Sequence, residues 1–88
     1  MTMKDFEFFK RNLNGCNGCI VECGYVDDVH INTIYVLASE GEYKIIKDNA
    51  SDTYLVEYIP NFGSKELSVH LTMSGAIEYI KGGDKYVE

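Results

Sequence analysis

Two segments of the chain carry apolar side chains at both of the alternating positions of a β-strand. Residues 31–38 read INTIYVLA and residues 53–59 read TYLVEYI, and both segments are rich in the β-branched and aromatic residues that favour strands. Successive side chains of a strand point to opposite faces of a sheet, so a sheet with one face in water should alternate apolar and polar residues. These segments therefore predict a sheet with apolar groups on both faces.

The remaining pattern predicts an N-terminal amphipathic helix packed on this sheet. Apolar residues recur at the spacing of one helical stripe in Met3, Phe6, Phe9 and Leu13, so we expect a helix over residues 3–13. We expect strands over residues 19–26, 29–38, 42–47, 53–59 and 66–73. The predicted fold is a single α+β domain, with the helix on an antiparallel sheet of about four to six strands.

The segment after residue 73 allows two conformations. Ser74 can cap a short C-terminal helix over residues 76–81, or residues 74–76 can form a hairpin loop. The hairpin places Met73 opposite Ile77, so it matches an apolar residue with an apolar residue. We favour the hairpin for this reason, with the short helix as the alternative.

One helix can cover only one face of the predicted sheet. The second face must then meet another chain, or the sheet must close on itself as a small barrel. We expect an interaction surface on this face, and self-association to a homodimer.

Negative charge is concentrated in one third of the chain. The net charge is −6, and residues 12–43 contain five acidic residues and no Lys or Arg. A negative field argues against nucleic acid or a membrane as a direct partner and favours a protein with a basic surface. Solubility alone can also account for such an excess of acids. The predicted partner-binding residues are Glu22, Asp27, Asp28, Glu40 and Glu42.

Three cysteines and a histidine form the strongest candidate for a metal site. Cys16, Cys19 and Cys23, with His30, could supply four sulfur and nitrogen ligands to zinc. On an extended strand, however, Cys19 and Cys23 would stand about 13 Å apart. An odd number of cysteines also argues against a disulfide framework. We expect the cysteines to pack as small apolar groups, and we expect no cofactor.

Catalytic patterns of the nucleotide-binding, serine hydrolase and metalloprotease types do not occur in this sequence. Asp27 and Asp28 before His30 are typical of a solvated turn, and a Cys–His pair would still need an orienting group and an oxyanion donor. No stretch approaches the roughly 20 apolar residues of a membrane span, and we expect a cytoplasmic location.

Small acidic domains without catalytic motifs are typical of inhibitors and adaptors. Phage-encoded proteins that block the nucleic-acid channel of a host defence enzyme have this size and charge. By that analogy, we expect a non-catalytic binding protein that docks on a basic, nucleic-acid-binding protein partner. The alternatives are a small metal-binding domain organised by Cys16, Cys19, Cys23 and His30, or a homo-oligomeric structural or ligand-binding module.

We predict that the protein folds without metal, because the apolar residues of the helix and strands supply a core that does not depend on the cysteines. Replacement of Cys16, Cys19 and Cys23 together by Ser should lower the free energy of unfolding by about 1–3 kcal/mol, through polar groups placed in packed sites. Thermal unfolding with and without a chelator provides the measurement. Loss of cooperative unfolding in chelator would favour the metal-binding alternative.

Overall fold

A helix, five strands and a second helix follow one another along the chain. The computed structural model describes residues 1–13, 19–25 and 30–82, with Tyr25 described by its backbone. The elements are α1 Met3–Leu13, β1 Ile20–Tyr25, β2 Ile31–Ala38, β3 Gly41–Asp48, β4 Thr53–Pro60, β5 Glu66–His70 and α2 Met73–Ile80. The predicted α+β class is confirmed. Neither α1 nor α2 is long and apolar enough to cross a membrane.

The five strands form an antiparallel meander. Their order in the sheet is β1-β2-β3-β4-β5, so each strand pairs with its neighbours along the chain. Val21 lies opposite Val36, Val36 opposite Tyr43, and Tyr43 opposite Tyr58. Among the described strands, β1 and β5 are the two edges, so the sheet stays open and does not close as the barrel that the sequence also allowed.

Helix α1 begins at a reciprocal cap and is tied to the start of β2. The Thr2 amide donates to the Asp5 carboxylate at 3.0 Å, and the Asp5 amide donates to the Thr2 hydroxyl at 3.3 Å. Together these bonds satisfy two backbone donors that the helix cannot satisfy itself. The Ile31 amide donates to the Met1 carbonyl at 2.7 Å, and the Met1 amino group donates to the Ile31 carbonyl at 3.0 Å.

Both helices pack on the same face of the sheet, which we call the helix-covered face. Helix α1 lies against β1 and β2, α2 lies against β4 and β5, and the two helices contact each other. Phe9 is fully buried, and its ring meets that of Tyr54 at 6.3 Å between centroids. Fully buried side chains of the three central strands complete this core: Ile34, Val36, Ile45 and Val56.

The hairpin that we favoured after residue 73 is wrong, because residues 73–80 form α2. Strand β5 ends at His70, and the Thr72 hydroxyl caps the helix by accepting a hydrogen bond from the Gly75 amide at 3.0 Å. A helix turns several apolar residues of this segment onto one stripe, whereas a strand would turn alternate residues away from the core. The buried residues of α2 are Ala76, Ile77, Tyr79 and Ile80.

Two adjacent isoleucines provide a matched test of this one-sided core. Ile45 has 0% exposure and Ile46 has 37% exposure, because they point to opposite faces of β3. We expect Ile45→Ala to lower the free energy of unfolding by about 2–5 kcal/mol through the cavity that it leaves. Ile46→Ala should cost less than about 1 kcal/mol. Chemical denaturation of both variants provides the comparison, and equal losses would contradict a core on one face.

Candidate interaction surface

The sheet face opposite the helices, which we call the open face, carries an apolar surface. Strand alternation turns Ile20, Leu37 and Ile46 away from the buried neighbours Val21, Val36 and Ile45. The most exposed large apolar side chains of the described strands all lie on this face. They are Ile20 at 55% exposure, Leu37, Ile46, Leu67 at 68% and Val69 at 58%.

These apolar side chains run across the sheet in two rows. In the first row Ile20 lies opposite Leu37, and in the second row Leu55 lies opposite Val69. Ile46 extends the second row, since it lies opposite Leu55. Cross-strand neighbours of this kind are about 4.5–5.5 Å apart, so each row is continuous. The open face therefore presents two apolar rows, and Leu67 lies two residues along β5 from Val69 of the second row.

Glu22, Lys44 and Glu57 lie between the two rows, and Glu42 lies at the end of the first row, opposite Leu37. The charge differs from one side of the sheet to the other. Near β4 and β5, Glu57 is paired with Lys65 at 3.1 Å and with Lys44 at 3.9 Å. Toward β1 and β3, neither Glu22 nor Glu42 forms an ion pair with any residue in the described part of the chain. The open face is consequently balanced in charge at one side and negative at the other.

Three of the five predicted partner-binding acids lie close together in the fold. Glu22 and Glu42 point to the open face from the strands on either side of β2, because Glu22 lies opposite Tyr35 and Glu42 opposite Leu37. Glu40 is exposed in the turn that joins β2 to β3. The structure thus gathers these three acids around the end of β2, next to its apolar row.

The other two predicted acids, Asp27 and Asp28, lie outside the described residues.

Cys19 and Cys23 lie on the opposite side of the sheet from this surface. Cys19 belongs to the core, and Cys23 is half-buried against it, while Cys16 lies outside the described residues. His30 is exposed, and its backbone forms a β-bridge with Thr2. Among the described residues, no group of three or more His, Cys, Asp or Glu side chains is arranged to hold a metal ion.

A Ser–His pair on β5 is the arrangement closest to a catalytic one. The Ser68 hydroxyl and Nε2 of His70 are 2.8 Å apart on the helix-covered face. A nucleophilic serine also needs a group that orients its histidine. Within the described residues no hydrogen bond reaches Nδ1 of His70, and the Glu66 carboxylate instead accepts from the Tyr79 hydroxyl at 3.0 Å. Since the His70 ring packs on Tyr79, these contacts join β5 to α2.

A second polar cluster lies at the β3–β4 turn. Lys47 pairs with Asp52 at 3.1 Å, lies over the Tyr54 ring at 4.7 Å, and donates to the Tyr54 hydroxyl at 3.4 Å. The hydrogen bond to Asp52, followed by that to Tyr54, raises the pKa of Lys47 above its usual value. Asp52 holds a positive φ of 57° in this turn. The ion pair therefore links Asp52, with its unusual backbone conformation, to Lys47 of β3.

No protein-family model, curated protein or solved structure matches this chain. The open face is the feature that sequence reasoning located only in part. Apolar residues at both alternating positions of residues 31–38 and 53–59 signalled a second apolar face. The apolar residues that β5 adds to the open face were not predicted, because the alternating sequence of β5 does not show which of its two sides packs against the helices. Leu67 and Val69 point to the open face, and His70 is half-buried beside α2.

Proposed function

We propose that this protein is a small non-catalytic binding module that docks on a protein partner through its open face. The observation that carries the proposal is that five exposed apolar side chains share the sheet face opposite both helices. Large apolar patches rimmed by polar residues mark interaction sites, because leaving them in water is unfavourable. Both described helices, α1 and α2, pack on the helix-covered face, so neither covers these side chains.

The charge around this patch favours a partner with Lys and Arg side chains at the edge of its docking site. Glu22 and Glu42 lie beside Leu37 without a described ion-pair partner, and Glu40 is exposed at the adjacent turn. Opposite charges across an interface raise the association rate and exclude wrong partners. Grooves that bind nucleic acid carry such basic groups, so the module would act as an inhibitor or adaptor by occupying one.

A photo-crosslinking amino acid at position 37 should capture this partner in cells, because Leu37 belongs to the first apolar row and lies opposite Glu42. The same amino acid at position 7, which is exposed on α1, provides the matched control. We expect defined crosslinked species from position 37, identified by mass spectrometry, and few from position 7. Equal crosslinking from both positions would contradict the open face as the docking surface.

Charge reversal then tests the acidic side of the surface on the crosslinked partner. Glu22→Lys with Glu42→Lys should weaken binding about tenfold or more, and the wild-type affinity should fall with rising salt, since exposed charges are screened within about 10 Å at 0.1 M salt. Glu7→Lys with Glu78→Lys changes the net charge equally on exposed helix positions and should have much less effect. Titration of the purified pair gives both dissociation constants. Equal losses would assign the effect to net charge alone.

A further inference from the structure

Strand β5 is an edge of the sheet in the described part of the chain, and it carries no Lys, Pro or bulge. Backbone hydrogen-bonding groups on one side of an edge strand point outward, and within the described chain β5 pairs with β4 alone. Natural edges are blocked by Lys, Pro or a bulge, and residues 66–70 contain none of these. The other edge, β1, does contain an irregularity, a register shift between Gly24 and Tyr25.

The sequence of β5 is complementary to itself when it is reversed. If two copies of residues 66–70 run antiparallel with Ser68 opposite Ser68, then Leu67 lies opposite Val69 and Glu66 lies opposite His70. The first pair joins two apolar side chains on the open face, both of which are mostly exposed in the single chain. The second pair sets a carboxylate against an imidazole on the helix-covered face. Cross-strand pairs of both kinds stabilise a sheet.

Other registers lose this match. Shifting the second strand by one residue would place the open face of one copy on the side of the helices of the other. Shifting it by two residues keeps the faces aligned, but only three of the five residues of β5 then lie opposite residues of the other β5. The register centred on Ser68 therefore uses the whole strand, and it brings no two like charges of β5 into opposition.

We propose that β5 pairs with β5 of a second copy in this register, forming a two-fold symmetric dimer with one continuous sheet. The pairing uses an edge that, among the described strands, pairs with β4 alone. It also extends the open face from one copy into the next through the Leu67 and Val69 pairs. The dimer does not depend on the proposed docking function, since the purified protein can form it without any other partner, although Leu67 and Val69 belong to both surfaces.

Complementary charge variants test this pairing directly. Leu67→Lys with Val69→Lys places Lys opposite Lys, and Leu67→Glu with Val69→Glu places Glu opposite Glu, so each variant alone should be monomeric. In a mixture of the two variants, Lys of one copy would lie opposite Glu of the other at positions 67 and 69, and a dimer should form again. Both side chains are exposed, so the fold should remain, and thermal unfolding checks this. Sedimentation velocity and native mass spectrometry report the mass relative to the 10.0 kDa chain.

The expected result is a wild-type dimer, a loss of association by at least about tenfold in each variant, and a heterodimer in the mixture. Ile20→Lys with Leu37→Lys is the matched control, because it alters the open face away from β5 and should leave the wild-type dimer intact. A wild-type protein that stays monomeric up to hundreds of micromolar would overturn the proposal. So would a dimer that dissociates in the control variant and survives in the β5 variants, since its copies would then meet through the open face.

Two separate measurements keep this proposal distinct from the docking function. Crosslinking from position 37 of the wild-type protein tests the docking function, because the β5 variants also replace Leu67 and Val69, two of the five exposed side chains of the open face. A wild-type dimer that dissociates in the β5 variants, together with crosslinking from position 37 of the wild type, supports both proposals. A dimer that behaves as expected in a protein without any crosslinked partner would support the pairing and contradict the docking function alone.

Discussion

The packing of both helices on one face of the sheet determines the rest of this structure. Helices α1 and α2 meet each other over the sheet, and the side chains beneath them form the fully buried core. In this core, the Phe9 ring of α1 packs against the Tyr54 ring of β4. Because a domain of this size has one core, the apolar residues on the other side of the strands contribute much less to it. The open face is the result of that division.

The elements that could be predicted were those with a strong local pattern. The stripe of α1 repeats over eleven residues, and its expected bounds match Met3–Leu13. The apolar residues at both positions of β2 and β4 indicated a second apolar face before any packing was known. The segment 73–80 was misassigned because its apolar residues fit either period over so short a length. Contact of α2 with the core, which is not local, decides between them.

Alternation within one strand shows which of its residues share a face, and that part of the candidate surface could be predicted. The residues that meet through pairing between strands could not be predicted. Glu22 and Glu42 are twenty residues apart, and they share a face because of how β1, β2 and β3 align. The orientation of β5 similarly follows from its pairing with β4, where Ser68 lies opposite the buried Val56. Neither relation leaves a signal in the local sequence, since register depends on the partner strand.

The meander order has a consequence for how the chain folds. Every strand pairs with its neighbour in sequence, so the sheet can grow by adding one hairpin at a time and closes only short loops. The contacts of α1 with α2 and, through Phe9, with Tyr54 are different, because they join elements far apart in the described chain. Their formation closes long loops and costs more chain entropy than a hairpin does. Helix packing therefore couples the two ends of the described chain, in addition to the pairing of neighbouring strands.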